Sequence, residues 1–151
     1  MQSCKGPSIS LIENAIRNAV ELVYRTEFEL IERHLHEQTI CARVMFHLQH
    51  FLPEWHVDVE FNRGSESNCD PKRDLELQVR RPDIAVHRRG PKGPNLAIVT
   101  AKCFWSNNSC TKHEADDLSS LSLASKFGYQ SVFRLTFCDS NYELLCLFPN
   151  Q

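Results

Sequence analysis

Apolar residues in the first third of the chain recur at helical spacing in two separate segments. The first segment follows Ser8 and Ser10, either of which can cap a helix, and it runs roughly to Tyr24 or beyond. The second covers about 35–52 and stops at Pro53, because a proline pushes the residue before it out of the helical region. The stretch between them either continues the first helix or links it to the second. The pattern therefore predicts two helices at the start of the chain.

Beyond the second helix the pattern changes to alternation of apolar and polar residues, which is typical of strands. Residues 55–63 alternate in this way, and the polar stretch 64–74 that follows is rich in turn-forming residues. Two further apolar runs, 83–89 and 96–104, flank a Gly/Pro turn at 90–95. Together these two runs predict a β-hairpin with a long loop.

The last third of the chain predicts one helix and two strands. Residues 114–127 have the composition of a helix, and Gly128 is well placed to end it. Residues 129–137 and 142–148 are strand candidates separated by a turn. The predicted order is α-α-β-β-β-α-β-β in a single domain, 1–151. A helix between two groups of strands indicates the α/β class, with a mixed central β-sheet flanked by helices.

Composition restricts the partners and the compartment. The chain has 151 residues, of which 42% are hydrophobic and 24% charged, so a soluble globular domain is expected. The net charge of -2 gives no overall positive field, and a nucleic acid would have to bind a local patch. The chain contains neither a signal-peptide pattern nor an apolar run long enough to cross a bilayer, which predicts no membrane partner. Seven cysteines without a C-x-x-C pair are typical of reduced thiols in a cytoplasmic protein.

Two costly residues, Asp83 and Lys102, stand near the same end of the predicted hairpin. A cross-strand ion pair on a solvated face would explain them simply, at well under about 1 kcal/mol. Two features favour a functional role for these residues over a simple ion pair. Pro82 fixes the backbone just before Asp83, and Lys102 follows the apolar run 96–99, so its strand is expected to be central in the sheet.

These residues resemble the signature of the PD-(D/E)xK nucleases, in which Pro-Asp on one strand is followed by (Asp/Glu)-x-Lys on the next. Pro82-Asp83 and Ala101-Lys102 match this signature. A group of small bacterial members is particularly similar, and its strings occur here in order across about two thirds of the chain. These strings are HEQTI at 36–40, DVEFNR at 58–63, PKR at 71–73, RPDIAVHRRG at 81–90, NLAIVTAK at 95–102 and EADDL at 114–118.

The resemblance implies a restriction-endonuclease-like fold and hydrolysis of phosphodiester bonds with magnesium or manganese. Asp83 corresponds to the central metal ligand, since carboxylate oxygens suit these cations. Lys102 corresponds to the residue that orients the attacking water or stabilises charge at the phosphate. Glu37 corresponds to the helical glutamate that completes the acidic cluster in many members. The alternative explanation is that Glu37 is a surface glutamate near the start of a helix, where its charge interacts favourably with the helix dipole.

One position departs from the signature. Thr100 stands where Asp or Glu is expected, and a neutral hydroxyl is a far weaker magnesium ligand than a carboxylate. The protein is then a degenerate relative, a variant of an active enzyme, or a nuclease whose carboxylate has migrated elsewhere. The candidates for a migrated ligand are Asp116, Asp117, Glu114 and Glu60.

Basic residues cluster in the loops around the hairpin, and Lys72, Arg73, Arg88 and Arg89 are the candidate phosphate contacts. A solvated polar rim is the alternative. Trp105 can stack on a base or form the edge of the core. The expected partner is nucleic acid, with DNA favoured over RNA, and a homodimer is compatible with the sequence. The leading hypothesis is a magnesium-dependent nuclease, and the alternative is a nuclease-fold binding or regulatory protein without catalysis.

Overall fold

Three helices are followed by three strands, one helix and two strands in the part of the chain that the computed structural model describes, which is 6–59, 82–90, 93–105 and 113–148. The helices of this part are α1 (Ile9–Thr26), α2 (Glu29–Glu32), α3 (Glu37–Phe51) and α4 (His113–Phe127). Its strands are β1 (His56–Val59), β2 (Ile84–His87), β3 (Asn95–Cys103), β4 (Ser131–Phe137) and β5 (Tyr142–Phe148).

The helix α1 begins as predicted, at the cap supplied by Ser8, whose hydroxyl accepts a hydrogen bond from the Leu11 N–H at 3.2 Å. It ends at Thr26, because Glu27 leaves the helical conformation with φ of -133°. The chain then forms the single turn α2, which the sequence pattern did not separate from its neighbours. The observed order therefore contains one short helix more than predicted.

The helix α3 begins two residues later than predicted and ends next to Pro53. His36 precedes it and caps it, since its Nδ1 accepts a hydrogen bond from the Gln38 N–H at 3.3 Å. One face of α3 is buried, and its members are Ile40, Cys41, Val44 and Leu48. Glu37 is the acidic residue of the first turn, where a carboxylate interacts favourably with the helix dipole.

The five strands of the described residues form one mixed sheet in the order β1-β2-β3-β4-β5. Neighbouring strands are antiparallel except for β3 and β4, which are parallel and joined by α4. Val99, Ala101 and Cys103 face the core under α1 and α3, whereas Ile98 and Val132 pack under α4. The predicted α/β class with a mixed sheet flanked by helices is confirmed.

The turns follow the glycine positions. Gly128 ends α4 with φ of +72°, a left-handed conformation that glycine adopts without strain. At Gly93 in the hairpin loop, an added Cβ would lie 1.7 Å from the carbonyl oxygen of Arg88, so only glycine fits there. The predicted strand 55–63 is described as far as Val59, and the predicted loop 64–74 lies outside the described residues.

Two further properties concern the described helices and cysteines. None of the helices among them is both long and apolar enough to cross a membrane. None of their cysteines forms a disulfide; Cys41 and Cys103 are buried, and Cys138 and Cys146 are more accessible.

Candidate functional site

Asp83 lies where β2 and β3 part. The pairing of these strands ends at Ile84 and Val99, whereas β3 continues to Cys103. Beyond that point the carboxylate of Asp83 takes the place of a backbone acceptor, because its Oδ2 accepts a hydrogen bond from the Ala101 N–H at 2.6 Å. A carboxylate that accepts such a bond is firmly oriented. This contact is the physical reason for a partly buried aspartate at the entrance of β2.

Lys102 lies on the α4 face of β3. Side chains alternate along a strand, and Ala101 and Cys103 point into the core under α1 and α3. Thr100 and Lys102 therefore point to the opposite face, and both are partly buried. Continued by one residue, the β2–β3 register places Asp83 across from Thr100. Lys102, the lysine that the sequence predicted, therefore lies on β3 two residues beyond the position opposite Asp83.

The buried thiol of Cys103 has a raised pKa. Burial is the main reason that the pKa of Cys103 rises to about 12, and the carboxylates of Glu37 and Asp83 raise it further. The ammonium of Lys102 lowers the pKa of the same thiol. Glu37, Asp83 and Lys102, which are far apart in the sequence, are therefore close enough to Cys103 to influence the pKa of its thiol.

A small cavity adjoins Asp83. Its volume is about 170 Å³, and Gln38, Cys41, Val59 and Asp83 line it. The cavity lies between the first turns of α3 and the start of β2, so Asp83 is accessible from the side on which Glu37 begins its helix. A cavity of this size holds a few water molecules or one hydrated group.

Thr100, the departure from the nuclease signature, faces a charged pair. Its hydroxyl donates a 3.4 Å hydrogen bond to the carbonyl oxygen of Phe133, and the β3–β4 register places it beside Arg134. Arg134 Nη1 donates to Asp117 Oδ2 at 2.6 Å. The other oxygen, Asp117 Oδ1, is buried without a hydrogen-bond partner among the described residues. Among the predicted migrated ligands, the structure describes the side chain of Asp117. This carboxylate pairs with Arg134, which lies beside Thr100.

Arg134 is a residue that the sequence interpretation missed. It is the one charge in an otherwise apolar and hydroxyl-containing strand, SVFRLTF. A single charge at a central strand position requires an ion-pair partner, and that was the available signal.

The basic residues of the hairpin are held by neighbours. Arg89 donates to both oxygens of Asp58, and Nε2 of the buried His87 lies 2.8 Å from Asp58 Oδ2. Burial raises the pKa of Asp58, but the hydrogen bonds from Arg89 and His87 outweigh it, and the pKa is lower than its usual value. Arg88 is exposed and lies 4.9 Å from the Trp55 ring centroid. The other predicted phosphate contacts, Lys72 and Arg73, lie outside the described residues.

The predicted base-stacking residue, Trp105, already has a partner. The imidazole of His34 is stacked on it, with ring centroids 4.7 Å apart and planes 11° apart. His34 adopts a left-handed backbone with φ of 50°, and its Nε2 lies 2.7 Å from Asp139 Oδ1. One face of Trp105 is therefore covered by the chain itself.

The structure describes some, but not all, of the carboxylates that the sequence offers as metal ligands. Within 6–59, 82–90, 93–105 and 113–148, no group of three or more His, Cys, Asp or Glu side chains is arranged to hold a metal ion. Glu60 and the side chains of Glu114 and Asp116 lie outside what the structure describes. The described carboxylates near β3 are Asp83, Glu37 and Asp117.

No protein-family model, no curated protein and no solved structure matches this chain. Membership of the PD-(D/E)xK superfamily therefore stays a prediction that rests on the motifs in the sequence.

Proposed function

We propose that this chain is a magnesium- or manganese-dependent nuclease whose site consists of Asp83, Lys102 and Glu37. The observation that carries the proposal is that the carboxylate of Asp83 lies where β2 and β3 part and accepts a hydrogen bond from the N–H of Ala101, the residue before Lys102. An aspartate and a lysine at the point where two central strands part are costly to place, and a shared function would explain both. Phosphodiester hydrolysis uses this combination, an anionic pair for a cation and a positive charge for the phosphate.

The donor chemistry of these residues fits a hard divalent cation. Magnesium is usually bound by one or two carboxylates, with waters and substrate phosphates completing its coordination shell. The carboxylates of Asp83 and Glu37 are ligands of this type. When bound, such a cation supplies stabilisation of phosphate charge and a water of lowered pKa. The bond from the Ala101 N–H holds the Asp83 carboxylate in one orientation. Lys102 would supply the positive charge for the scissile phosphate.

Asp117 is our candidate for the carboxylate that Thr100 lacks. An acidic residue at position 100 would lie beside Arg134, and in its absence Arg134 is paired with Asp117 from α4. A buried carboxylate oxygen without a partner calls for a water or a cation, and Asp117 Oδ1 is such an atom among the described residues. The negative charge beside Arg134 is thus kept although it comes from a different element.

A second candidate function is nucleic-acid binding or regulation without catalysis. The observation that favours it is the hydroxyl of Thr100, which donates to Phe133 and offers no charge to a cation. Loss of one anionic ligand weakens magnesium binding strongly. In this case the fold and the positive charge of Lys102 remain while hydrolysis is lost.

Cleavage of labelled DNA and RNA with magnesium or manganese separates the two functions. We expect the wild type to cleave, and Asp117→Asn to cleave about 10- to 100-fold more slowly, the loss typical of groups that support a metal site. Under this proposal the wild type is active with threonine at position 100, so activity does not require the Thr100→Glu substitution. A wild type that binds but does not cleave, together with a Thr100→Glu variant that does, would establish the second function instead.

A further inference from the structure

A cavity of about 570 Å³ lies at the end of β2 that is remote from Asp83. Asp83 directly precedes this strand, whereas Arg88, which lines the cavity, directly follows it. Prolines, leucines and two aromatic residues form most of the wall, and the exposed side chains of Leu11 and Phe51 form its rim. The volume lies in the range of about 300–1,000 Å³ that is typical of sites for small molecules.

The floor of this cavity is formed by Leu52 and Trp55, which are buried, and the carboxamide of Gln49 fixes it. Gln49 Nε2 donates to the carbonyl oxygens of Leu52 at 3.2 Å and of Trp55 at 2.7 Å. Gln49 Oε1 accepts from the Val57 N–H at 3.1 Å, so the same side chain also holds the start of β1. The apolar floor is therefore preformed, as is usual in sites for small molecules.

Arg88 brings a positive charge to the cavity that no carboxylate of the described residues neutralises. Its guanidinium carbon lies 4.9 Å from the centroid of the Trp55 ring, and its backbone N–H donates to the carbonyl oxygen of Pro94 at 2.9 Å. The neighbouring Arg89, in contrast, is paired with Asp58. A guanidinium that lies against an aromatic ring can still bind an anion through its N–H groups. Arg88 is thus positioned to bind an anion in the cavity.

The carboxylate of Glu54 limits the charge of that anion. Glu54 is exposed and lines the same cavity. One guanidinium neutralises one negative charge, and Glu54 would repel a second. A phosphate monoester carries about two negative charges at neutral pH, so a carboxylate suits the cavity better.

We propose that this cavity binds a small amphipathic carboxylate, a molecule with one negative charge and an apolar chain or ring. The carboxylate pairs with Arg88, and the apolar part is buried against Leu52, Trp55 and Phe51. Burial of the apolar part supplies the affinity, and the guanidinium selects for the charge. The inference goes beyond the proposed nuclease function and does not depend on it, because the cavity shares no residue with the site at Asp83.

Titrations of the full chain with octanoate, 1-octanol and octyl phosphate, followed by the chemical shifts of its backbone amides, test this inference. The three probes share one alkyl chain and differ in charge. We expect octanoate to shift the amides that line the cavity and to bind about tenfold more tightly than 1-octanol, the gain typical of one hydrogen-bonded charge. Octyl phosphate should bind more weakly than octanoate, because its second charge meets Glu54.

Three variants identify the groups responsible. Arg88→Gln should bind octanoate about tenfold more weakly and 1-octanol as the wild type does, whereas Glu54→Gln should bind octanoate more tightly. Arg25→Gln is the matched control, because it removes an exposed arginine at the end of α1, and it should bind octanoate as the wild type does.

Four results would overturn the inference. These are no binding of octanoate, shifts confined to amides away from the cavity, octanoate binding that Arg88→Gln leaves unchanged, and tighter binding of octyl phosphate than of octanoate.

Discussion

Replacing Asp83 by asparagine is expected to lower the rate of metal-dependent cleavage about a thousandfold and to leave the fold intact. The charge of a carboxylate ligand contributes several kcal/mol through the cation, and each 1.36 kcal/mol is a factor of ten in rate. Asparagine keeps an oxygen that can accept the hydrogen bond from the Ala101 N–H, so the parting of β2 and β3 is preserved. Single-turnover cleavage in magnesium measures the rate, and urea unfolding measures the fold.

Asp139→Asn is the matched control for this prediction. It makes the same acid-to-amide change at an exposed carboxylate, paired only with His34 among the described residues. We expect this variant to cleave at the wild-type rate. A cleavage rate that falls equally in both variants would show a general effect of net charge, and a rate that survives in Asp83→Asn would remove Asp83 from the site.

Replacing Asp58 by alanine is expected to lower the free energy of unfolding by about 3 kcal/mol at neutral pH. The side chain of Asp58 is 19% exposed, and its loss leaves His87, which is 2% exposed, and the guanidinium of Arg89 without their shared acceptor. Breaking a largely buried hydrogen-bonded pair by removing one partner costs about 3–5 kcal/mol, and the exposure of Arg89 places this case at the lower end.

The effect of Asp58→Ala should depend on pH in one direction. The folded protein lowers the pKa of Asp58, so the carboxylate contributes its stability above its unfolded-state pKa and loses it as the pH falls through the folded-state pKa. Urea unfolding at neutral and acid pH should therefore show a difference between wild type and variant that shrinks in acid. A difference that is constant with pH would contradict the ion pair. Asp139→Ala, an exposed pair, should cost less than about 0.5 kcal/mol.

Most of the architecture followed from local patterns. Helical spacing and the proline after α3 determined where that helix ends, and the turn compositions separated β4 from β5 at positions close to those observed. The short helix α2 was missed because a single turn leaves no periodic pattern to read. The parallel pairing of β3 with β4 was not predicted in detail, since register depends on contacts between distant segments.

The candidate site was predictable in part, for physical reasons. Asp83 and Lys102 stood out because charges are costly in predicted central strands. The role of the Asp83 carboxylate as acceptor for Ala101 depends on where β2 ends, and the pairing of Arg134 with Asp117 depends on how α4 crosses the sheet. Neither can be read from spacing within one segment. The stacking of His34 on Trp105 joins two distant segments in the same way.

The central claim is that a divalent cation binds at Asp83, and a calorimetric titration with manganese tests it most directly. The wild type should bind manganese, Asp83→Asn should bind it at least about a hundredfold more weakly, and Asp139→Asn should match the wild type. These titrations require neither substrate nor turnover, so they test the cation site separately from catalysis. Absence of manganese binding in the wild type, or equal binding by Asp83→Asn, would contradict the account.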